Sequence, residues 1–235
     1  MNVASLALAF LCVLASSAQA RGIETWLVRV DLHTFTARAA IDIGSSRWSV
    51  PGCHAVWSHR PVQIARDRFV EIAGLSAAAS VDGCAGTKDE TLVVIRDGTR
   101  SLLVAIALLE GRVRWSRADL PALSRWVAWV DGQWLVLSAD RLTWLDPASG
   151  RTLRASSPLA APPIERGDRR WSVAVPSETR PAAFAEENVR LREERRGRKK
   201  RLVVVRVPRA DRTGPMQLAQ AGDELWLVRE TTVLD

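Results

Sequence analysis

The residues that could do most chemistry in this 235-residue chain lie between Arg190 and Arg201, where it reads RLREERRGRKKR. Eight are basic (Arg190, Arg192, Arg195, Arg196, Arg198, Lys199, Lys200 and Arg201) and two are acidic (Glu193 and Glu194). Their net +6 is nearly all of the chain's +7, so the remainder is close to neutral. Guanidinium and ammonium groups at this density suit the binding of anions through charge and hydrogen bonds. Anionic lipid headgroups, phosphorylated polysaccharide or an acidic protein face are the fitting partners, because each Lys or Arg near an anionic surface contributes about 1 kcal/mol. The plainer alternative is a solvated turn whose charges serve solubility.

Other reactive side chains are sparse. His33, His54 and His59 sit on separate segments, which gives little basis for a nucleophilic triad. No Gly-x-Ser-x-Gly, phosphate loop or His-Glu-x-x-His is present. Glu186-Glu187 and Glu193-Glu194 flank or interrupt the basic block and are read as neutralising it rather than as an acid–base pair. Asp31, Asp146 and Asp235 recur at turn positions, where Asp accepts backbone hydrogen bonds. No catalytic, cofactor-binding or metal-binding residue is assigned, and the chain is read as leaning away from an enzyme.

Cys53 and Cys84 lie thirty-one positions apart. In an oxidising compartment such a pair is expected to form a disulfide, worth roughly 3 kcal/mol of unfolded-state entropy. A metal site is the alternative, with His54 and His59 close to Cys53, but the paired spacing of a zinc site is missing.

These side chains need elements to hold them. Trp126–Arg154, WVAWVDGQWLVLSADRLTWLDPASGRTLR, carries the clearest pattern. Asp131-Gly132 marks a two-residue hairpin turn, Ser138-Ala139-Asp140 a second break, and Asp146 to Gly150 a third turn. The reading is four short antiparallel strands, too few to bury both faces unless they stack on copies of themselves. Such copies are visible. Leu102–Trp115 repeats the unit with Gly111 thirty-nine residues before Gly150, and Leu27–Thr34 opens the chain in the same way. Trp226-Leu227-Val228 matches Trp134-Leu135-Val136, and Thr232–Asp235 matches Thr143–Asp146 as a following strand. Weaker copies pass through Phe69–Gly74 and Val203–Gly214.

The form "strand, Leu-Asp-Pro-x-x-Gly, outgoing strand" over Trp126–Arg154 resembles the repeat of β-propellers related to quinoprotein dehydrogenases and to the lipoprotein of the outer-membrane assembly machine. The resemblance implies that a tryptophan after the glycine docks the next blade, a place that Trp115 fits. It would allow a quinone cofactor, but no ligands for one can be placed in this sequence, so none is expected.

At the N-terminus, Leu6 to Leu14 is an uncharged apolar run, and Ala18-Gln19-Ala20 supplies a small-x-small cleavage site. Residues 1–20 are therefore read as a signal peptide, and residues 21–235 as a single β-propeller-like domain that is periplasmic or secreted. No transmembrane segment is expected after the leader. At about forty residues per blade the mature chain makes about five four-stranded blades, in a propeller that is small, incomplete or degenerate. Ten tryptophans with no tyrosine are read as filling the gaps between blades. Ser156 to Pro163 reads as a connector before a unit that starts with a strand at Trp171–Val175. Val189 and Leu191 before the basic block, Leu202–Val205 after it and Gly197 inside it predict two long strands that project the charge as a hairpin.

The functional expectation is an all-β, exported, non-enzymatic scaffold that binds an envelope protein or an anionic envelope surface through this basic hairpin. Nucleic acid is not a physiological partner of an exported protein, although the patch would bind it non-specifically. The alternatives are a small enzyme with an unrecognised site in the propeller channel, or a truncated propeller without independent function.

Overall fold

The computed structural model describes residues 20–42, 56–57, 62–65, 68–119, 126–174, 186–208 and 212–234, and every regular element among them is a strand. In chain order these are β1 (Ala20–Asp31), β2 (Thr36–Asp42), β3 (Val56–Trp57), β4 (Val62–Ala65), β5 (Arg68–Val70), β6 (Ser80–Gly86), β7 (Glu90–Asp97), β8 (Arg100–Ala107), β9 (Arg112–Arg117) and β10 (Trp126–Val130). They continue as β11 (Gln133–Leu137), β12 (Leu142–Leu145), β13 (Thr152–Ala155), β14 (Ile164–Arg166), β15 (Arg169–Ala174), β16 (Glu186–Arg195), β17 (Arg201–Pro208), β18 (Arg212–Ala221) and β19 (Glu224–Leu234). Residues 1–19 of the expected leader lie outside the described residues, as do Cys53, His54, His59 and Asp235.

All strand pairs are antiparallel, and the strands group along the chain. The first sheet is β3-β4-β5, the second β6-β7-β8-β9, the third β10-β11-β12-β13 and the fourth β14-β15-β16-β17. A terminal sheet, β18-β19-β1-β2, joins the two ends of the chain. Turn chemistry explains the meanders. Asp131 and Gly132 both have positive φ (49° and 78°), as a two-residue turn that follows the strand twist requires. Gly111 and Gly150 (φ 65° and 69°) occupy the same turn, between third and fourth strands, in the second and third sheets. The thirty-nine-residue spacing is thus a real structural register.

The second and third sheets are tied at one point of close approach. The Trp115 indole lies against Gly150, where an added Cβ would come within 2.6 Å of the ring, and its Nε1 donates to the Pro147 carbonyl at 2.7 Å. Arg117 donates to the Gly150 carbonyl at 2.6 Å. Trp115 therefore occupies the docking place expected of it.

The core lies between sheets. Val70 of the first sheet packs on Val93, Ile95, Val104 and Ile106 of the second. The opposite face of the second sheet (Leu92, Val94, Leu103) meets Trp134, Val136 and Leu145 of the third. The other side of the third sheet (Leu135, Leu137, Trp144) meets Leu27, Trp226 and Val228 of the terminal sheet. The terminal sheet's remaining face (Val28, Val30, Leu225, Leu227) covers Trp171, Val189, Leu191 and Val205 of the fourth. Period-two alternation along β19 thus sends Trp226 and Val228 one way and Leu225 and Leu227 the other. The buried tryptophans fill these gaps, with Trp144 and Trp226 edge-to-face at 5.4 Å.

The described packing order is first, second, third, terminal, fourth; a ring closed in sequence order would seat the terminal sheet between the fourth and the first. The Ser156–Pro163 connector makes this possible by crossing the edge of the terminal sheet. Ser157 N donates to Gln220 O at 2.8 Å, and Ala160 and Leu218 exchange two backbone bonds. Among the described residues the first sheet has three strands. Two expectations need correction. Thr232–Leu234 does not form a separate strand. No turn residue interrupts Arg229-Glu230-Thr231, so β19 runs on and pairs along β1 from Asp31↔Glu224 to Ala20↔Leu234. The unit containing Trp171 also begins earlier, at β14, whose Ile-Glu-Arg composition gives little strand signal.

Candidate functional site

The basic block forms the tip and flanks of a hairpin. Strands β16 and β17 pair from Glu186↔Pro208 to Glu193↔Arg201, and Arg196 to Lys200 make the turn around Gly197 (φ 71°). Arg198 N donates to Arg195 O at 3.1 Å, while Arg196 N donates to Asp168 O in the neighbouring β14–β15 turn at 3.2 Å. The tip is therefore braced against a second turn.

The eight cations fall into two groups, divided by the carboxylates of Glu193 and Glu194. Glu193 is 1% exposed, and its oxygens face three guanidinium groups: Arg201 Nε at 2.6 Å, Arg195 Nε at 3.3 Å and Arg169 Nη1 at 3.8 Å. A buried carboxylate is tolerable only with such partners. Arg201 goes further and crosses to the terminal sheet. It donates to the Leu32 carbonyl at 2.6 Å and the His33 carbonyl at 3.0 Å, with its guanidinium 4.6 Å from the centre of the Phe35 ring. Lys200 pairs with Glu194 at 2.7 Å, and that hydrogen bond holds the Glu194 carboxyl below its ordinary pKa. Arg195, Lys200 and Arg201, counted in the sequence as binding residues, are thus engaged in the hairpin's own structure.

Arg190, Arg192, Arg196, Arg198 and Lys199 are exposed and form no ion pair within 4 Å among the described residues. Arg190 lies opposite Val204, and Arg192 opposite Leu202, so the four side chains share one face of the sheet. Leu202 and Val204 are 54% and 50% exposed on that face, on the edge strand β17. The hairpin therefore presents apolar and cationic groups together.

The remaining candidates are structural or lie outside the described residues. Cys84 is buried in β6 and disulfide-bonded, its partner lying outside the described residues. Asp31 accepts from His33 N at 2.7 Å and Thr34 N at 2.9 Å, and Asp146 accepts from Ser149 Oγ and from Ala148 N. Both are turn-forming aspartates. His33 is exposed, 3.3 Å from Asp223. The side chains of Glu186 and Glu187 lie outside the described set. A cavity of about 440 Å³ opens beside β8 and β9, lined by Glu71, Leu75, Asp97, Arg100, Leu102 and Ser116, with no histidine or cysteine among the described lining residues.

Two features escaped the sequence reading: Glu193 as an organising centre, and the exposed Leu202 and Val204. The signal for Glu193 is Val189-x-Leu191-x-Glu193, in which period two places the carboxylate on the core face. The dense charge around it hides that alternation.

No protein-family model and no curated protein matches the chain. Among solved structures it is similar to the WD40 domain of Neurospora crassa Pan2, at 10% identity over 90% of this chain and 86% of that one, with a TM-score of 0.34.

Proposed function

We propose that this chain is an exported, non-enzymatic scaffold, built from propeller-type sheets in an incomplete ring of about five blades, that binds an anionic component of the envelope. The observation that carries the reading is the division of the basic block. Glu193 and Glu194 take up Arg195, Arg201 and Lys200 as internal ties, and five exposed cations remain on a hairpin whose tip is braced by the Asp168 turn. A purely solvated turn does not need such bracing, whereas fixed cations lose less entropy when an anion binds. Export rests on the expected leader, and with it Cys53 is the proposed partner of Cys84, a link that non-reducing mass spectrometry would reveal.

The test replaces Arg196, Arg198 and Lys199 together by Gln and measures retention of envelope components, and of a soluble polyanion such as polyphosphate, across a salt series. Binding should weaken, and its salt dependence should flatten, because fewer counterions are exchanged. Unchanged binding and unchanged salt dependence in a folded variant would reduce the hairpin to a solvated turn.

A further inference from the structure

We infer that the outer face of the fourth sheet docks onto an anionic phospholipid surface, with Leu202 and Val204 entering the headgroup boundary between the flanking cations; this rests on the anion-binding reading above. Leu202 and Val204 stand on the edge strand of the sheet, half exposed, and the residues directly across from them are Arg192 and Arg190. The tip adds Arg196, Arg198 and Lys199 at the end of the same hairpin. An apolar strip bordered by Lys and Arg is the arrangement that interfacial segments use: the apolar side chains leave water while the cations meet phosphate.

Two observations favour lipid over other occupants. A second copy of this face would bring Arg190 and Arg192 against like charges, which opposes self-association. An acidic protein face would have to match five cations spread over a strand and a turn, whereas headgroups move laterally and match any spacing. The opposite face of the hairpin is already used, since Val189, Leu191 and Val205 pack on the terminal sheet. Only the outer face is free to meet a bilayer among the described contacts.

The experiment uses the full chain with four probes: vesicles of equimolar phosphatidylglycerol and phosphatidylcholine, vesicles of phosphatidylcholine alone, soluble polyphosphate, and polyglutamate. A double variant, Leu202→Thr with Val204→Thr, keeps strand propensity while removing apolar surface. The Arg196, Arg198 and Lys199 triple Gln variant tests the charge. The unaltered protein is expected to bind the anionic vesicles and not the neutral ones. The apolar double variant should lose about tenfold in partition to the anionic vesicles and keep its affinity for polyphosphate. The triple variant should lose both. Circular dichroism and the melting temperature confirm that each variant is folded, and Leu202→Thr alone serves if the double variant is not. Anionic vesicles bound equally well without Leu202 and Val204, or polyphosphate bound while vesicles are not, would overturn the lipid inference and leave anion binding standing. Polyglutamate bound more tightly than vesicles, in a manner that needs Leu202, would assign the face to an acidic protein and also overturn it. A triple variant that retains both ligands would remove the anion-binding reading itself.

Discussion

Arg201 donates from Nε to the buried Oε2 of Glu193 at 2.6 Å, and the rest of its guanidinium ties the fourth sheet to the Leu32 and His33 carbonyls. A side chain from the most basic stretch of the chain is therefore a structural cross-link between sheets. Glu193→Gln should leave Arg195 and Arg201 without a balancing charge and lower stability by about 2 kcal/mol, less than for a fully buried pair because both arginines remain partly exposed. Lys199→Gln, on an exposed tip residue, should change stability by no more than about 0.5 kcal/mol. Urea unfolding separates the two, and equal effects would contradict the division of the block.

Gly150 faces two constraints at once. Its φ of 69° is disfavoured for a residue with Cβ, and that Cβ would lie within 2.6 Å of the Trp115 ring. Gly98 has φ 62° with nothing within 4 Å. Gly98→Ala should cost about 1–2 kcal/mol from backbone conformation alone. Gly150→Ala should cost more, on the order of 3 kcal/mol, because overpacking is added. Combining Gly150→Ala with Trp115→Ala should be less damaging than the sum of the single changes. An additive result in thermal unfolding would show that the indole yields freely.

Much of the local structure is legible in the sequence. The Asp131-Gly132 turn and the shared register of Gly111 and Gly150 rest on short-range turn chemistry, whereas the docking place of Trp115 follows from the resemblance to the propeller repeat. The seat of the terminal sheet between the third and fourth was not legible, because it depends on which faces of β1 and β19 meet which neighbours, and both faces are apolar. β14 was missed because Ile164-Glu165-Arg166 has neither the length nor the apolar content of a strand signal. For the candidate site, the hairpin and its turn could be read, but the roles of its charges could not. Opposite charges close in sequence look alike whether they are solvated or buried, and only the alternation through Val189 and Leu191 separates Glu193 from Glu194.

The turn aspartates and Glu90 should respond to pH with opposite signs. Hydrogen bonds from the Thr34 and His33 amides hold Asp31 below its ordinary value of 3.8, and the Ser149 hydroxyl does the same for Asp146. Depressed carboxyls contribute stability above their unfolded value, and that contribution is lost as pH falls through the folded one. Asp31→Asn and Asp146→Asn should therefore destabilise at neutral pH, and their difference from the unaltered protein should shrink below about pH 4. Burial raises Glu90 above its ordinary 4.5, so its contribution is present below that value and lost as pH rises through the folded pKa. Glu90→Gln should gain stability relative to the unaltered protein as pH rises from 4.5. Denaturant midpoints followed from acid to neutral pH test both signs, and parallel curves would remove the argument.

The terminal sheet should control the whole domain, because both neighbouring sheets pack on β19. Trp226 and Val228 are buried against the third sheet, and Leu225 and Leu227 against the fourth. Along its other edge β19 pairs with β1 from Asp31↔Glu224 to Ala20↔Leu234, which hides two strand edges that would otherwise be open to aggregation. Trp226→Ala should cost about 3–5 kcal/mol and Leu227→Ala about 2–5 kcal/mol. Although the two changes weaken different interfaces, each should lower the midpoint of one cooperative transition, since the third and fourth sheets are joined through the same strand. Calorimetry that resolved two transitions, with Trp226→Ala shifting one and Leu227→Ala the other, would mean that the sheets unfold independently. Deleting Glu224–Asp235 removes the strand altogether and exposes both faces, so no cooperative transition should remain. A melting temperature unchanged by that deletion would rule out the terminal sheet as the element that holds the two halves of the stack together.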